Sequence, residues 1–267
     1  MMFQVGQLVH FAGLQSKIVG VESRFGNDVY QIENGPLQIP MWVPEKVLAR
    51  HQQIDNPETV FNAQTPEVLV VDDFLKNPDE VREIALAQTY VARPEYFKGL
   101  RTDERFLWPN LREEFSRLLG LEVTDWLKHE ANGIFQQTMM GDSLVWHSDR
   151  QDYAAAIYLN PDGPPSGGTS FWRDKRWGCR RFPDQAKEIQ RIADPAVLAE
   201  ANTKMREPEN LSSPENWELI ESVAGLYNRL VIWDAKLVHS ATSYEGFTAA
   251  DQLGSQRLVQ LFFFGVS

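Results

Sequence analysis

Apolar and polar positions follow three different patterns along this chain. Residues 1–50 hold short β-prone runs, Gly6–Phe11, Lys17–Glu22, Asp28–Glu33 and Leu37–Val43, punctuated by Gly13, Gly26-Asn27 and Asn34-Gly35-Pro36. Strands this short with tight polar turns predict a small antiparallel barrel or meander of SH3-like kind. Such a unit is either a sheet extension of the main domain or a docking module for a protein partner. Residues 51–65, from His51-Gln52-Gln53 to Thr65, are polar, contain Pro57, and read as a linker. The remainder, 66–267, opens with the continuous apolar run Val68–Val71, which predicts a buried strand ending at Asp72-Asp73. Asn77-Pro78-Asp79-Glu80 then sets a helix start, followed by Val81, Ile84 and Ala85 at helical spacing. Leu111, Phe115, Leu118 and Leu119 mark a second helix, closed by Gly120.

From Gly133 onward β patterns dominate: Ile134–Met140, Ser143–Asp149, Tyr153–Asn160, Thr169–Trp172, Leu230–Trp233 and Arg257–Gly265. Residues 173–222 interrupt them with charged, proline-punctuated, helix-prone segments such as Gln185–Ala193 and Pro195–Met205. A stretch this long is an insert with structure of its own, because a compact domain rarely carries so long a structureless loop. It is expected to be largely helical and to sit over or beside the mouth of the β structure. The fold class is mainly β with helices (α+β), a many-stranded barrel or sandwich with one helical insert.

Composition narrows the function. The chain has 267 residues, 43% of them hydrophobic, and a formal charge of −11. With no basic stretch to neutralise phosphates, nucleic acid is not an expected partner, although a local basic pocket is compatible with this balance. The single cysteine, Cys179, excludes an intramolecular disulfide and fits a reducing compartment. Met1 to His10 lacks a basic flank followed by an apolar run, and no segment approaches membrane-spanning length. A cytoplasmic location without a membrane partner is expected.

Chemistry concentrates in three places. Trp146-His147-Ser148-Asp149 puts an imidazole and a carboxylate at i and i+2, on one face if the segment is a strand. The run Leu230–Trp233 ends at Asp234 and carries the chain to His239. Two histidines and one carboxylate form the facial set that suits non-haem Fe(II) with coordination positions open for oxygen chemistry. The bland alternative is that His239 satisfies a turn and His147 faces solvent. Arg257 begins the last strand in phase with Val259, Leu261 and Phe263, while Gln260 takes the other face. A guanidinium at the end of an apolar stripe needs an anion, which a dicarboxylate cosubstrate would provide. The alternative is a salt bridge at the strand mouth to an acid such as Asp251, but a charge ending an apolar stripe reads better as a ligand clamp. Trp146, Arg150, Trp172 and Arg173 flank the strand ends, where they could line a substrate mouth or simply pack.

These residues resemble the Fe(II)/2-oxoglutarate-dependent dioxygenases, in particular their prolyl-hydroxylase-like branch. The likeness rests on Gly141, His147-Ser148-Asp149, Tyr158-Leu159-Asn160, Gly167-Gly168 through Phe171, Arg229–Trp233, His239 and Arg257–Phe264. It implies a double-stranded β-helix, jelly-roll or cupin-like, with supporting N-terminal helices. It also implies that His147, Asp149 and His239 hold iron, and that Arg257 and the Tyr158 hydroxyl take the distal carboxylate of 2-oxoglutarate. The alternative for Tyr158 is a core tyrosine with a satisfied hydroxyl. The implied reaction consumes O2 and hydroxylates an unactivated C–H of a protein side chain, an amino acid or a small metabolite, releasing succinate and CO2. The alternative is an inactive cupin-like metal- or ligand-binding protein. Three departures stand out: the ligand histidines are 92 residues apart (239 − 147), Arg257 follows His239 by 18 (257 − 239), and Thr138 stands where many relatives carry tyrosine.

Overall fold

The structure is a computed structural model that describes residues 3–11, 14–24, 27–34, 39–44, 67–92, 99–185, 192–248 and 254–267. The expected linker 51–65, Asp251, and most of the expected helix Gln185–Ala193 lie outside the described residues; Ile192 and Ala193 are described and not helical. The chain divides into two compact units, Met1–Gln64 and Thr65–Ser267. In the first, β1 (Leu8–Phe11), β2 (Leu14–Arg24), β3 (Asn27–Asn34) and β4 (Ile39–Pro44) pair in sequence order as an antiparallel meander. Its core is Phe3, Val9, Ile18, Tyr30 and Ile32, with the Phe3 ring edge-on to Tyr30 at 5.3 Å.

The second unit is mainly β with few helices, an arrangement consistent with a jelly roll. The strands of its large antiparallel sheet are β5 (Val68–Val71), β6 (Tyr90–Ala92), β7 (Leu100–Thr102), β8 (Val123–Thr124), β9 (Phe135–Thr138), β10 (Tyr153–Tyr158), β13 (Leu230–Asp234) and β15 (Arg257–Val266). They run in the order β5-β13-β10-β15-β9-β7-β6, with β8 paired to β15 off this path. A second sheet of three strands orders β12 (Trp217–Val223), β11 (Thr169–Asp174) and β14 (His239–Ala241).

Side chains on β10, β13 and β15 alternate between two cores, as period two demands. Ala155, Ile157, Leu230, Ile232, Leu258, Phe262 and Phe264 pack on helices α1 (Pro78–Leu86) and α2 (Leu111–Leu119), around Phe115. Phe115 is fully buried, so truncating it to Ala would cost about 3–5 kcal/mol. The opposite face, with Ala154, Ala156, Val231, Trp233, Val259, Leu261 and Phe263, forms the other core with Phe171 of β11. The helix signals worked locally: Pro78 is at the first helical position and Gly120 closes α2 at φ 68°. Asn77 makes no side-chain cap; its amide instead reaches Glu80 at 3.4 Å.

Several expectations need correction. Val68–Val71 is a strand but not a buried one. It pairs only with β13 at the sheet edge and leaves Val70 40% exposed. Ser143–Asp149 is not a regular strand; it is extended chain tied to β14 by an isolated bridge between His147 and His239. Among the described residues the insert is helical in α3 (Pro195–Met205), α4 (Pro208–Leu211) and a 3-10 turn (Pro214–Asn216), after which it becomes β12. None of these helical residues lines either cavity beside His147 and Asp149. Cys179, Phe182, Met205 and Trp217 pack with Trp146 and Val238, each the residue just before a histidine of the expected metal set. Backbone bonds Trp146 N–H to Leu211 O (3.0 Å) and Val238 N–H to Arg180 O (2.8 Å) complete that support from behind.

Candidate metal centre

His147, Asp149 and His239 converge, with one ligand atom from each all within 4.8 Å of one another, so this group could hold a metal ion. Two backbone hydrogen bonds join the histidines, His147 N–H to His239 O (3.1 Å) and His239 N–H to His147 O (2.8 Å). Asp149 is placed by its own N–H to Ala235 O at 2.8 Å. Each imidazole turns Nδ1 to a carbonyl two residues back, Val145 O at 2.9 Å and Leu237 O at 2.8 Å. A carbonyl only accepts, so Nδ1 carries the hydrogen in both rings and each Nε2 keeps a lone pair. These Nε2 atoms stand 3.9 and 3.4 Å from the Asp149 carboxylate oxygens. Asp149 Oδ2 is buried with no hydrogen-bond partner among the described residues, which an ion at the centre of the three groups would remedy.

The electrostatics favour the ligand forms. Burial, then the repulsion that protonated His147 and His239 rings would feel side by side, holds the His147 imidazole below its ordinary range. Burial would raise the Asp149 carboxyl, but the adjacent imidazoles, His239 first, outweigh it and the group is held below the usual carboxylate range. Two imidazoles and a carboxylate form the donor set of the two-His-one-carboxylate type.

Behind the ligands lies an inner cavity of about 370 Å³, lined among others by Ala156, Thr169, Trp233, Tyr244 and Arg257. The alanines of β10 make room for it, because a larger side chain at Ala156 would enter the space. Arg257 is 5% exposed. Its Nε donates to Gly167 O (2.5 Å) and Nη2 to Gly168 O (3.3 Å), while the guanidinium lies over the Tyr158 ring at 5.4 Å. No carboxylate pairs with it among the described residues. Asn160 fastens the chain on both sides of it, donating to Gln256 O and accepting from Leu258 N–H, each at 2.7 Å. Gly168 is needed for close approach: a Cβ there would lie 1.8 Å from Val223 O.

The structure brings together four of the five site residues expected from sequence. Tyr158 does not line the cavity; its hydroxyl is buried against Thr169 Oγ1 at 2.7 Å and its ring supports Arg257. Tyr244 lines the wall instead, and burial pushes its hydroxyl up, so it remains a donor. Trp233 also lines the wall, and its indole N–H has no acceptor among the described residues. Neither residue carries a motif; only the loop and strand ends reveal them. Of the suspected mouth residues, only Arg150 lines an opening. Trp146 is core, Trp172 donates to Ser240 Oγ (3.0 Å), and Arg173 pairs with Glu218 (2.7 Å).

A family described as of unknown function, DUF6445, matches residues 133–264, a stretch that contains all three ligand residues and Arg257. Curated proteins give no match by sequence. Among solved structures, the chain is similar to HygX from Streptomyces hygroscopicus with nickel, 2-oxoglutarate and hygromycin B bound, at 12% identity and a TM-score of 0.42, over 75% of this chain and 83% of that one. A second HygX structure, with nickel and 2-oxoglutarate, gives 14% identity with the same TM-score of 0.42 and the same coverage of 75% and 83%. The non-heme iron oxygenase OrfP in complex with Fe gives 15% identity and 0.34, over 70% and 77%. No helix among the described residues is long and apolar enough to cross a membrane.

Proposed function

We propose that the chain is a non-haem Fe(II)/2-oxoglutarate-dependent dioxygenase built on a double-stranded β-helix, hydroxylating an unactivated C–H of a protein side chain, amino acid or small metabolite. One observation carries the reading: the two-His-one-carboxylate set and a buried guanidinium without a carboxylate partner among the described residues line one cavity. A plain metal-binding roll has no use for that guanidinium. When bound, Fe(II) and 2-oxoglutarate would supply the oxidant, with 2-oxoglutarate leaving as succinate and CO2.

The protein's own residues bind, orient and exclude water. His147, Asp149 and His239 would hold the metal on one side and leave the cavity side open. Arg257, prevented from swinging by the two glycine carbonyls and the Tyr158 ring, would take the distal carboxylate of 2-oxoglutarate. The Thr169 and Tyr244 hydroxyls on the cavity wall are donors for the same group. Tyr158 would act one step back, through Thr169 and Arg257. Val259, Leu261 and Phe263 keep the adjoining surface apolar, which strengthens every charge interaction in the cavity.

The test is succinate formation from 2-oxoglutarate with added Fe(II) and no substrate, alongside 2-oxoglutarate binding to the Mn(II)-loaded protein. Slow Fe(II)-dependent turnover is expected, and it should vanish in His239→Ala. Absence of both succinate and 2-oxoglutarate binding would overturn the assignment.

A further inference from the structure

Resting on that reading, we propose that the substrate carries an anionic group, a carboxylate or a phosphate, received by a cationic cleft on the outer side of the metal ligands. This cleft, about 810 Å³, shares His147, Asp149 and Arg101 with the inner cavity, so a molecule seated in it reaches the metal position directly. Its wall carries four cations, Arg101, Arg105, Lys128 and Arg150, against two acids, Asp103 and Glu130, once Asp149 is assigned to the metal. That excess runs against the chain's formal charge of −11. A local inversion of sign inside a walled cleft focuses field on an incoming anion.

The individual groups differ in what they offer. Arg105 spends its donors on backbone carbonyls, Asn132 O (2.8 Å), Leu127 O (3.2 Å) and Trp126 O (3.4 Å), which hold the guanidinium in place without cancelling its charge. Lys128 is largely matched by Asp125 at 2.6 Å and adds little. Arg150 is exposed, with no carboxylate partner among the described residues. Arg101, buried on β7, projects its charge on both His147 and His129. His129 adds a neutral donor. Its Nδ1 accepts from Ala131 N–H at 3.2 Å and its ring lies 4.7 Å from Phe263, so the hydrogen sits on Nε2. The charge of Arg105 held at the wall, the exposed Arg150 guanidinium and the His129 N–H together suit the several acceptor oxygens of a carboxylate or phosphate.

Matched probe pairs test this on the full chain loaded with Ni(II) and 2-oxoglutarate, so that the probes report the cleft and not the metal. O-phosphoserine against serine tests phosphate, and N-acetylaspartate against N-acetylasparagine tests carboxylate, with affinities from ligand-observed NMR. The charged member of at least one pair should bind about tenfold more tightly or better. Arg150→Gln and Arg101→Gln should each reduce that ratio severalfold, while Arg173→Gln, outside the cleft, leaves it unchanged. Which pair responds identifies the group. Equal binding within both pairs, or a ratio indifferent to both cleft substitutions, overturns the proposal. Anion discrimination with neither succinate formation nor 2-oxoglutarate binding would keep the cleft and refute the dioxygenase reading; succinate formation without discrimination would do the reverse.

Discussion

The two sheets of the larger unit are built to different tolerances. In the eight-stranded sheet, β10 is buried at every position and β15 at all but its last, with apolar cores on both faces. In the three-stranded sheet, the interior of β12 is exposed from Glu218 to Ser222, and His239 lies on a strand of three residues. Arg257 comes from the first sheet, whereas the candidate metal ligands come from the short β14 and from extended chain bridged to it. The proposed cosubstrate clamp thus sits on the more deeply buried wall, and the candidate ligand set is packed from behind by the insert. That division makes the two regions respond differently to damage.

The largest effect should come from the ligand set. Asp149→Ala is expected to weaken Mn(II) or Co(II) binding at least about 100-fold in titration calorimetry, since it removes the only anionic donor of three. If affinity falls less than about tenfold, the metal is held elsewhere and the comparison between the sheets collapses.

On the more deeply buried wall, Arg257→Gln should raise the Kd for 2-oxoglutarate by about 10- to 100-fold while metal affinity stays the same, as a lost charge-assisted pair requires. A parallel loss of metal binding would show that the two sheets are not independent.

The ion pairs distinguish the regions by stability. Arg181, its side chain 5% exposed, bridges Glu67 at 2.6 Å and Asp234 at 2.7 Å where β13 ends and the insert returns. Arg181→Met removes both of these bonds, although Arg180 still reaches Glu67 at 3.0 Å, and should cost roughly 2 kcal/mol in urea unfolding. The exposed Arg173–Glu218 pair on the small sheet should contribute less than about 1 kcal/mol by the same measurement.

The smallest effect is set by pH. Arg229 binds Asp72 through Nε at 2.5 Å and Nη2 at 2.9 Å, and this pairing holds the Asp72 carboxyl below its ordinary 3.8. A carboxyl depressed in the folded state adds stability above pH 3.8 and loses it as pH falls toward the folded value. Because Asp72 is largely exposed, Asp72→Asn should cost less than about 1 kcal/mol at pH 7, and the difference from the parent chain should vanish on acidification below that point. A gap that persists in acid would mean packing, not charge, supports the start of β13.

What the sequence determined by itself was whatever repeats locally. Period two in Tyr153–Asn160, Leu230–Trp233 and Arg257–Gly265 sets which side chains share a face, because adjacent residues of a strand point oppositely. Pro78 and Gly120 mark helix ends through their own backbone preferences. His-x-Asp, a distal His and a strand-initiating Arg are legible because the chemistry demands those residue types. Tertiary structure alone decided the rest. An apolar run such as Val68–Val71 reads the same at an edge as at a centre, since burial depends on neighbours supplied from elsewhere in the chain. His147 and Asp149 are brought together with His239 by hydrogen bonds across 92 residues (239 − 147) and not by a regular strand of their own. The insert's place behind the ligands, and the meeting of Arg101, His129 and Arg150 in one cleft, follow from side chains filling space between distant segments, and that packing leaves no periodic trace.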